Sequence, residues 1–130
     1  MKSNPYLSGN FGPVTEEVTA FDLQVTGQIP AELNGRYLRN GPNPIAADPE
    51  TYNWFLGDGM VHGVRLQGGQ AEWYRNRWVK SPDSFAPNTN VIGLNGRTLA
   101  LVEAGAPPVE LGFELDTIGT SDFGGTLSHG

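Results

Sequence analysis

Apolar and polar residues alternate along several short stretches of this chain, and the clearest of them predicts a β-hairpin. In GMVHGVRL the side chains of one face are Met60, His62, Val64 and Leu66. The intervening residues form the other face, as expected for a half-buried strand. The turn sequence Gln67-Gly68-Gly69-Gln70 follows, and AEWYRNRWV at 71–79 supplies the return strand.

The same signals describe the chain before this hairpin. Residues 1–20 contain Gly and Pro residues too closely spaced for a helix, so we predict an extended N-terminal arm. FDLQVTGQIP at 21–30 alternates as a half-buried strand does. A short strand at 36–39 then leads into a predicted loop at 41–44, Gly-Pro-Asn-Pro.

The chain after the first hairpin follows the same pattern. VIGLNGRTLALVE at 91–103 predicts a second hairpin with Asn95-Gly96 as its turn, and the short apolar stretches VELGFEL and DTIGTSDF come later. The 18 Gly and 10 Pro residues among 130 suit a turn-rich protein. We therefore predict an all-β fold, which the residues alone leave open between a sandwich, a barrel and propeller blades.

The charge balance argues against one large class of partners. Eight Lys and Arg stand against fourteen Asp and Glu, giving a formal net charge of −6, whereas nucleic-acid binding needs a clustered basic face. The nearest approach to a basic cluster is Arg75, Arg77 and Lys80, which we interpret as a solvated strand face. We therefore expect no nucleic-acid partner.

Cysteine content and hydropathy narrow the class further. The chain has no cysteine, so disulfides and cysteine-based zinc sites are excluded. The opening MKSNPYLSGN lacks the apolar core of a secretory signal, and no run approaches the roughly eighteen apolar residues of a membrane helix. We expect a soluble cytoplasmic protein, and peripheral membrane contact stays open.

Two residues are candidates for chemistry. His62 is either a metal ligand or proton shuttle, or a side chain packed into the sheet. Glu103 closes the apolar run TLALVE, where a carboxylate is costly unless it is paired; the alternative is a surface glutamate at a strand end. His62, His129 and Glu103 together match the ligand types of a two-histidine, one-carboxylate iron site. We do not favour that site, because a terminal histidine lacks rigid support.

Five sequence blocks carry a resemblance to a known family. GRYLRNGPNP, WFLGDGMVHGVRL, AEWYRNRWVKS, TLALVEAGAPPVEL and LDTIGTSDFGGTL resemble, in that order, the start of the carotenoid cleavage oxygenases. The bacterial carotenoid and lignostilbene dioxygenases are the most similar members, and the resemblance covers nearly the whole chain.

The resemblance implies a fold and an activity. Members are several hundred residues long and form a seven-bladed β-propeller. Four histidines hold a ferrous iron, and three glutamates hydrogen-bond ligand histidines. Dioxygen adds across a carbon–carbon double bond of an apolar conjugated carotenoid, apocarotenoid or stilbene. We thus expect an N-terminal fragment, with the arm at 1–20 and the first blades of an incomplete propeller at 21–130.

The resemblance assigns one residue to the neighbourhood of the iron. Glu103 occupies the glutamate position of an L-x-E-x-G block, which implies that it orients an iron-ligating histidine. The family's first ligand lies in a T-A-H-P block shortly after DFGGTL, whereas this chain reads DFGGTLSHG, so we assign His129 no ligand role. We therefore expect Fe(2+) in the full-length family member, none held by this chain alone, and no activity of the isolated chain.

The other motif residues are expected to be structural. They are Arg39, Asn40, Gly41, Pro42, Gly57, Asp58, Gly59 and His62. For Arg36, Arg39 and Asn40 the alternative is substrate binding, and for the Gly57–Gly59 motif it is a ligand cradle rather than a turn. His62 is not an iron ligand in the family, so we expect a neutral imidazole bonded to backbone or a carboxylate.

The aromatic strand raises a second functional hypothesis. Trp73, Tyr74 and Trp78 alternate across both faces of one strand, and we expect them to pack between neighbouring blades. The alternative to the oxygenase is a small stand-alone β-domain that binds a ligand or partner through this strand.

Overall fold

Two tight turns with left-handed backbone fix the register of the two hairpins. In this computed structural model, which describes residues 3–82, 84–103 and 105–127, Gly68 and Gly69 have φ of 58° and 77°. Asn95 and Gly96 have φ of 50° and 74°. Positive φ at both central residues matches the twist of antiparallel strands and requires Gly or Asn there. Both hairpins predicted from the sequence are confirmed.

The described part of the chain contains eight strands, which form two four-stranded antiparallel sheets. The strands are β1 Thr19–Ala20, β2 Gly35–Pro42, β3 Gly59–Gln67, β4 Gln70–Trp78, β5 Asn90–Leu94, β6 Arg97–Leu101, β7 Val109–Leu111 and β8 Thr117–Thr120. The first sheet has the order β1-β4-β3-β2 and the second the order β5-β6-β7-β8. Three 3-10 turns lie at Pro5–Leu7, Gly9–Phe11 and Trp54–Leu56.

The described residues contain no α-helix, which confirms the all-β prediction. Within this same part of the chain, no helix reaches the length and apolar character that a membrane crossing requires. Each sheet is a compact antiparallel meander, and β1 adds to the first of them from the N-terminal side.

The hydrophobic core lies between the two sheets. It consists of Val61, Trp73, Val79, Ala100, Val109, Leu111 and Leu115, with Leu38 packed against it. Trp73 is 7% exposed, and its ring meets that of Phe113 edge-on, with centroids 6.4 Å apart. The expected packing of this tryptophan between the sheets is confirmed.

Arg36 ties the two sheets together at the same interface. Its guanidinium lies 4.4 Å from the centroid of the Phe113 ring and donates to the Phe113 carbonyl (2.8 Å) and to the Thr98 hydroxyl. Burial, and then the neighbouring Arg65, lower the pKa of Arg36 from its ordinary value. Arginine suits this position because its planar group stacks on a ring while donating at its edge.

The opposite face of the first sheet carries the N-terminal arm. Asn43 is 6% exposed and bonds both backbone groups of Val14: its Oδ1 accepts from the N–H (2.7 Å) and its Nδ2 donates to the carbonyl (2.9 Å). Nδ2 also lies 3.5 Å from the sulfur of Met60, a fully buried residue of β3. This one side chain thus provides hydrogen-bond partners for the N–H and C=O of Val14, as a paired strand would otherwise do.

A second asparagine holds the arm a few residues further on. Asn76 of β4 is 1% exposed, accepts a hydrogen bond from the Val18 N–H and donates to the Glu16 carbonyl (3.0 Å). Its Nδ2 also approaches the Met60 sulfur at 3.6 Å. These contacts position the residues directly before β1, which pairs with β4.

Two predictions of secondary structure are wrong, one of a strand and one of a loop. Residues 21–30 are not a strand: Asp22 and Gly27 have φ of 55° and 91°, and Phe21 is 61% exposed, so the chain leaves the sheet after Ala20. β2 runs through Pro42 into the predicted loop. Proline is accepted there because β2 is an edge strand, where an N–H need not join the ladder.

The division into arm and propeller stays a prediction. Two of the 3-10 turns lie within residues 1–20, and the last two residues of that range, Thr19–Ala20, already pair with β4. The arm is therefore held to the first sheet by Asn43, Asn76 and a short strand.

Asn76→Ala should lower the free energy of unfolding by about 2 kcal/mol, because it removes two part-buried hydrogen bonds to the arm, made by the buried Asn76 amide with Val18 and Glu16. Urea denaturation followed by tryptophan fluorescence measures the change. Asn34→Ala, at an exposed position, is the matched control and should change stability by less than about 0.5 kcal/mol. Equal effects of the two substitutions would contradict the role of the buried amide.

Candidate functional site

His62 lies on the arm-facing side of β3 and is half-buried. Its Nδ1 is 2.9 Å from the hydroxyl of Tyr74 on β4, and Arg39 of β2 is its register partner on the other side. The expected backbone or carboxylate partner is therefore wrong. The residue directly opposite on β4 is Asn76, whose amide is used by the arm, so the imidazole bonds to the next side chain along that face.

Burial and charge together determine the protonation of this pair. Burial, and then the Arg39 guanidinium, hold the pKa of His62 below its usual value. Burial raises the pKa of Tyr74, and the same guanidinium opposes that rise. His62 is thus neutral near pH 7, the charge state expected from the sequence.

A small cavity lies beside His62, between the N-terminal arm and the first sheet; we call it the arm cavity. Its volume is about 80 Å³. Its lining includes the polar side chains of Arg39 and His62 and the aromatic rings of Phe11 and Trp54. The rings of Phe11 and Trp54 meet edge-on with centroids 5.1 Å apart, which gives the aromatic lining a defined shape.

The Gly57-Asp58-Gly59 motif is a crowded entry to β3. A side chain at Gly59 would overlap the carbonyl of Pro87, and one at Gly57 would be similarly obstructed. The Asp58 carboxylate accepts a hydrogen bond from the Ile45 N–H (2.9 Å). The motif's contacts are made within the protein, which favours the expected turn over a ligand cradle.

The end of β2 joins the first sheet to the second. Gly41 and Pro42 continue the ladder with β3, and Asn40 donates to the carbonyls of Pro87 (2.9 Å) and Asn90 (3.0 Å). The amide therefore fixes the entry to β5 against β2, which agrees with a structural role for this residue. Its Oδ1 is buried and has no hydrogen-bond partner among the described residues.

A cleft opens where β2 meets the entry to β5; we call it the inter-sheet cleft. It is lined by Arg39, Asn40, Gly41, Pro42, Trp54, Phe55, Asn88, Thr89 and Glu103. Glu103 lies just beyond β6, is exposed, and has no hydrogen-bond or ion-pair partner within the described part of the chain. Its carboxylate is available at the cleft, and its role in orienting an iron ligand stays a prediction.

The described donors do not fit an iron ion by themselves. Within residues 3–82, 84–103 and 105–127, no three His, Asp or Glu side chains come together as a metal site. His62 lines the arm cavity and Glu103 lines the inter-sheet cleft. His129, the third residue of the hypothetical iron site, lies outside the described residues.

Comparison with known proteins identifies the class. A family model described as RPE65, retinal pigment epithelial membrane protein, matches residues 11–86. Over 148 residues the chain is 56% identical to the carotenoid cleavage oxygenase of Mycobacterium tuberculosis strain H37Rv, covering 98% of this chain and 30% of that protein. It is 51% identical over 76 residues to a carotenoid 9,10(9',10')-cleavage dioxygenase of Phaseolus vulgaris, covering 58% and 14%.

Solved structures of related oxygenases have the same fold over most of this chain. The lignostilbene dioxygenase of Pseudomonas brassicacearum superposes with a TM-score of 0.82 at 28% identity, over 93% of this chain and 31% of that one. Cobalt-substituted apocarotenoid oxygenase of Synechocystis superposes with a TM-score of 0.76 at 26% identity, over 88% of this chain and 31% of that one. The two sheets are blades of a β-propeller, as predicted, and the chain belongs to the RPE65/carotenoid oxygenase family. It spans 30% of the Mycobacterium tuberculosis relative and 14% of the Phaseolus vulgaris relative.

Sequence reasoning missed the two asparagines that bind the N-terminal arm. Asn76 carries a usable signal, because asparagine is depleted in strands and here interrupts an aromatic and basic one. Asn43 carries no such signal, because it lies in a Gly-Pro-Asn-Pro run, where asparagine is a common turn residue.

His62 should titrate below 6.5, and Arg39→Gln should raise its pKa toward 6.5, because the substitution removes a cation while burial persists. Imidazole resonances followed by NMR across pH measure both values. The sequence has two histidines, so His129→Gln assigns the signals. A His62 that titrates above 6.5, or ignores Arg39→Gln, would contradict this electrostatic picture.

The same depressed pKa makes stability pH-dependent. Protonation of His62 favours the unfolded state, so the free energy of unfolding should fall as pH drops below about 6.5 and level off below the folded-state pKa. The His62→Gln variant should show a smaller fall over the same window in urea denaturation. Parallel curves for the two proteins would show that other groups dominate this window.

Proposed function

We propose that this chain is part of an oxygenase that adds dioxygen across a carbon–carbon double bond of an apolar conjugated substrate. Each former alkene carbon receives one oxygen atom, so two carbonyl products account for both atoms of dioxygen. The observation that carries the proposal is the 56% identity to a carotenoid cleavage oxygenase over 98% of this chain. Carotenoids, apocarotenoids and stilbenes are the proposed substrate class.

The proposed cofactor of the whole enzyme is ferrous iron, which supplies the dioxygen chemistry when bound. The described part of this chain contains one histidine, His62, whose Nδ1 is engaged with Tyr74. An iron site needs several rigidly held imidazole or carboxylate donors at one point. We therefore propose that the 130-residue chain alone neither holds iron nor turns over substrate.

Glu103 is the residue of this chain that we propose to act closest to the iron. A carboxylate that accepts an N–H from a ligating histidine fixes the ring's orientation and tautomer. Two observations support it: the side chain lines the inter-sheet cleft, and no described residue occupies its carboxylate. Asn40, which bonds the entry to β5, would hold one wall of that cleft in place.

The alternative function, a stand-alone domain that binds through the aromatic strand, has less support. Trp73 is buried in the core. The Trp78 indole N–H donates to the Asn43 carbonyl (3.2 Å), and the Tyr74 hydroxyl bonds His62. Each of these aromatic groups is therefore engaged within the protein.

The purified chain, reconstituted anaerobically with Fe(2+), should retain far less than one iron per chain after desalting. It should give no aldehyde from a stilbene or an apocarotenoid in air. Iron is measured by elemental analysis and products by liquid chromatography, with an intact family member as the positive control. Stoichiometric iron together with turnover would overturn the proposed inactivity of the isolated chain.

The role of Glu103 can be tested by replacing the matching segment of the Mycobacterium tuberculosis relative with this chain. In that chimera Glu103→Gln should reduce kcat by about tenfold or more and lower iron occupancy, as changes to residues that support metal ligands do. Glu110→Gln, which removes the ion pair of Glu110 with Arg97, is the matched control and should leave both unchanged. A purely structural Glu103 would change the melting temperature and leave kcat and iron content intact.

A further inference from the structure

The arm cavity has the features of a binding site. Its polar wall carries the Arg39 guanidinium and the His62 imidazole, and no Asp or Glu lines it. Within the described residues the Arg39 side chain makes no ion pair or hydrogen bond. This exposed guanidinium is therefore available to an anion.

The two donors lie on adjacent strands. Arg39 and His62 are register partners, so their side chains rise from the same face of the sheet. Tyr74 occupies Nδ1 of His62, which leaves Nε2 as the ring nitrogen available to a ligand. When Nδ1 accepts from the Tyr74 hydroxyl, Nε2 carries the proton, and a guanidinium and an imidazole N–H on one face match the two oxygens of a carboxylate.

The aromatic lining selects for an organic anion rather than an inorganic one. Phe11 and Trp54 supply apolar surface, and the volume of about 80 Å³ suits a ligand of only a few carbon atoms. A strongly hydrated phosphate would lose water against these side chains without recovering hydrogen bonds.

We propose that the arm cavity binds a short-chain carboxylate, with Arg39 and Nε2 of His62 at the carboxylate and Phe11 and Trp54 along the aliphatic chain. The N-terminal arm forms one wall, and the hydrogen bonds of Asn43 to Val14 hold it in place. The arm cavity shares Arg39 and Trp54 with the inter-sheet cleft, but it includes His62 and Phe11 and not Glu103. Its occupation requires neither iron nor turnover.

Propionate is the probe, and an NMR titration of the 130-residue chain is the measurement. The His62 ring and the Trp54 indole N–H should shift together and give one dissociation constant. Propionamide, which keeps the shape but loses the charge, should bind at least about tenfold more weakly, since charge-assisted hydrogen bonds are roughly twice as strong as neutral ones. Inorganic phosphate, at equal ionic strength, should also bind more weakly.

Arg39→Gln should weaken propionate binding about tenfold or more. Because Arg39 is exposed, the variant should fold, and circular dichroism checks that it does. Arg97→Gln, at an exposed position on β6, is the matched control and should bind like the parent. Propionate that does not shift His62, phosphate that binds as tightly, or a folded Arg39→Gln that binds unchanged would each overturn the proposal.

Discussion

The hydrogen bonds of two buried asparagines to the backbone of the arm are the contacts on which the first sheet's outer face depends. An extended segment laid across the face of a sheet has no ladder to receive its N–H and C=O groups, and burying them unpaired is costly. Asn43 and Asn76 supply those partners from fixed positions beside Met60. These polar contacts hold the arm together with the aromatic contact of Phe11 and Trp54.

The position of the arm determines the burial of His62 and therefore the pKa of its imidazole. With the arm in place, the space above β3 becomes a small cavity, and the imidazole is half-buried beside a guanidinium. Burial and the cation act in the same direction on the pKa of His62, since both disfavour a second positive charge. The hydroxyl of Tyr74 then fixes the ring through Nδ1. A histidine that looks catalytic in isolation is thus a neutral member of a polar wall.

The two hairpins could be predicted from local sequence signals. The end of β1 and the hydrogen-bond partner of His62 depend on long-range contacts, which the local sequence does not show. Gly68-Gly69 and Asn95-Gly96 need positive φ at adjacent positions, a requirement that is visible in the sequence. The segment at 21–30 alternates like a strand but has no neighbouring strand to pair with beyond Ala20, which no local pattern reveals. The partner of His62 depended on which side chain of β4 the arm had already taken.

The inter-sheet cleft shows why Glu103 was identifiable only through resemblance. Its immediate surroundings are those of an exposed glutamate, and nothing in its burial or charge sets it apart. What gives it a defined place is the rigid frame around it: Asn40 bonds the carbonyls that lead into β5, and Gly59 allows the Pro87 carbonyl to approach the sheet closely. Such backbone contacts fix positions more tightly than flexible side-chain packing does. The two sheets therefore hold the walls of the cleft that Glu103 lines, and its proposed role depends on that frame.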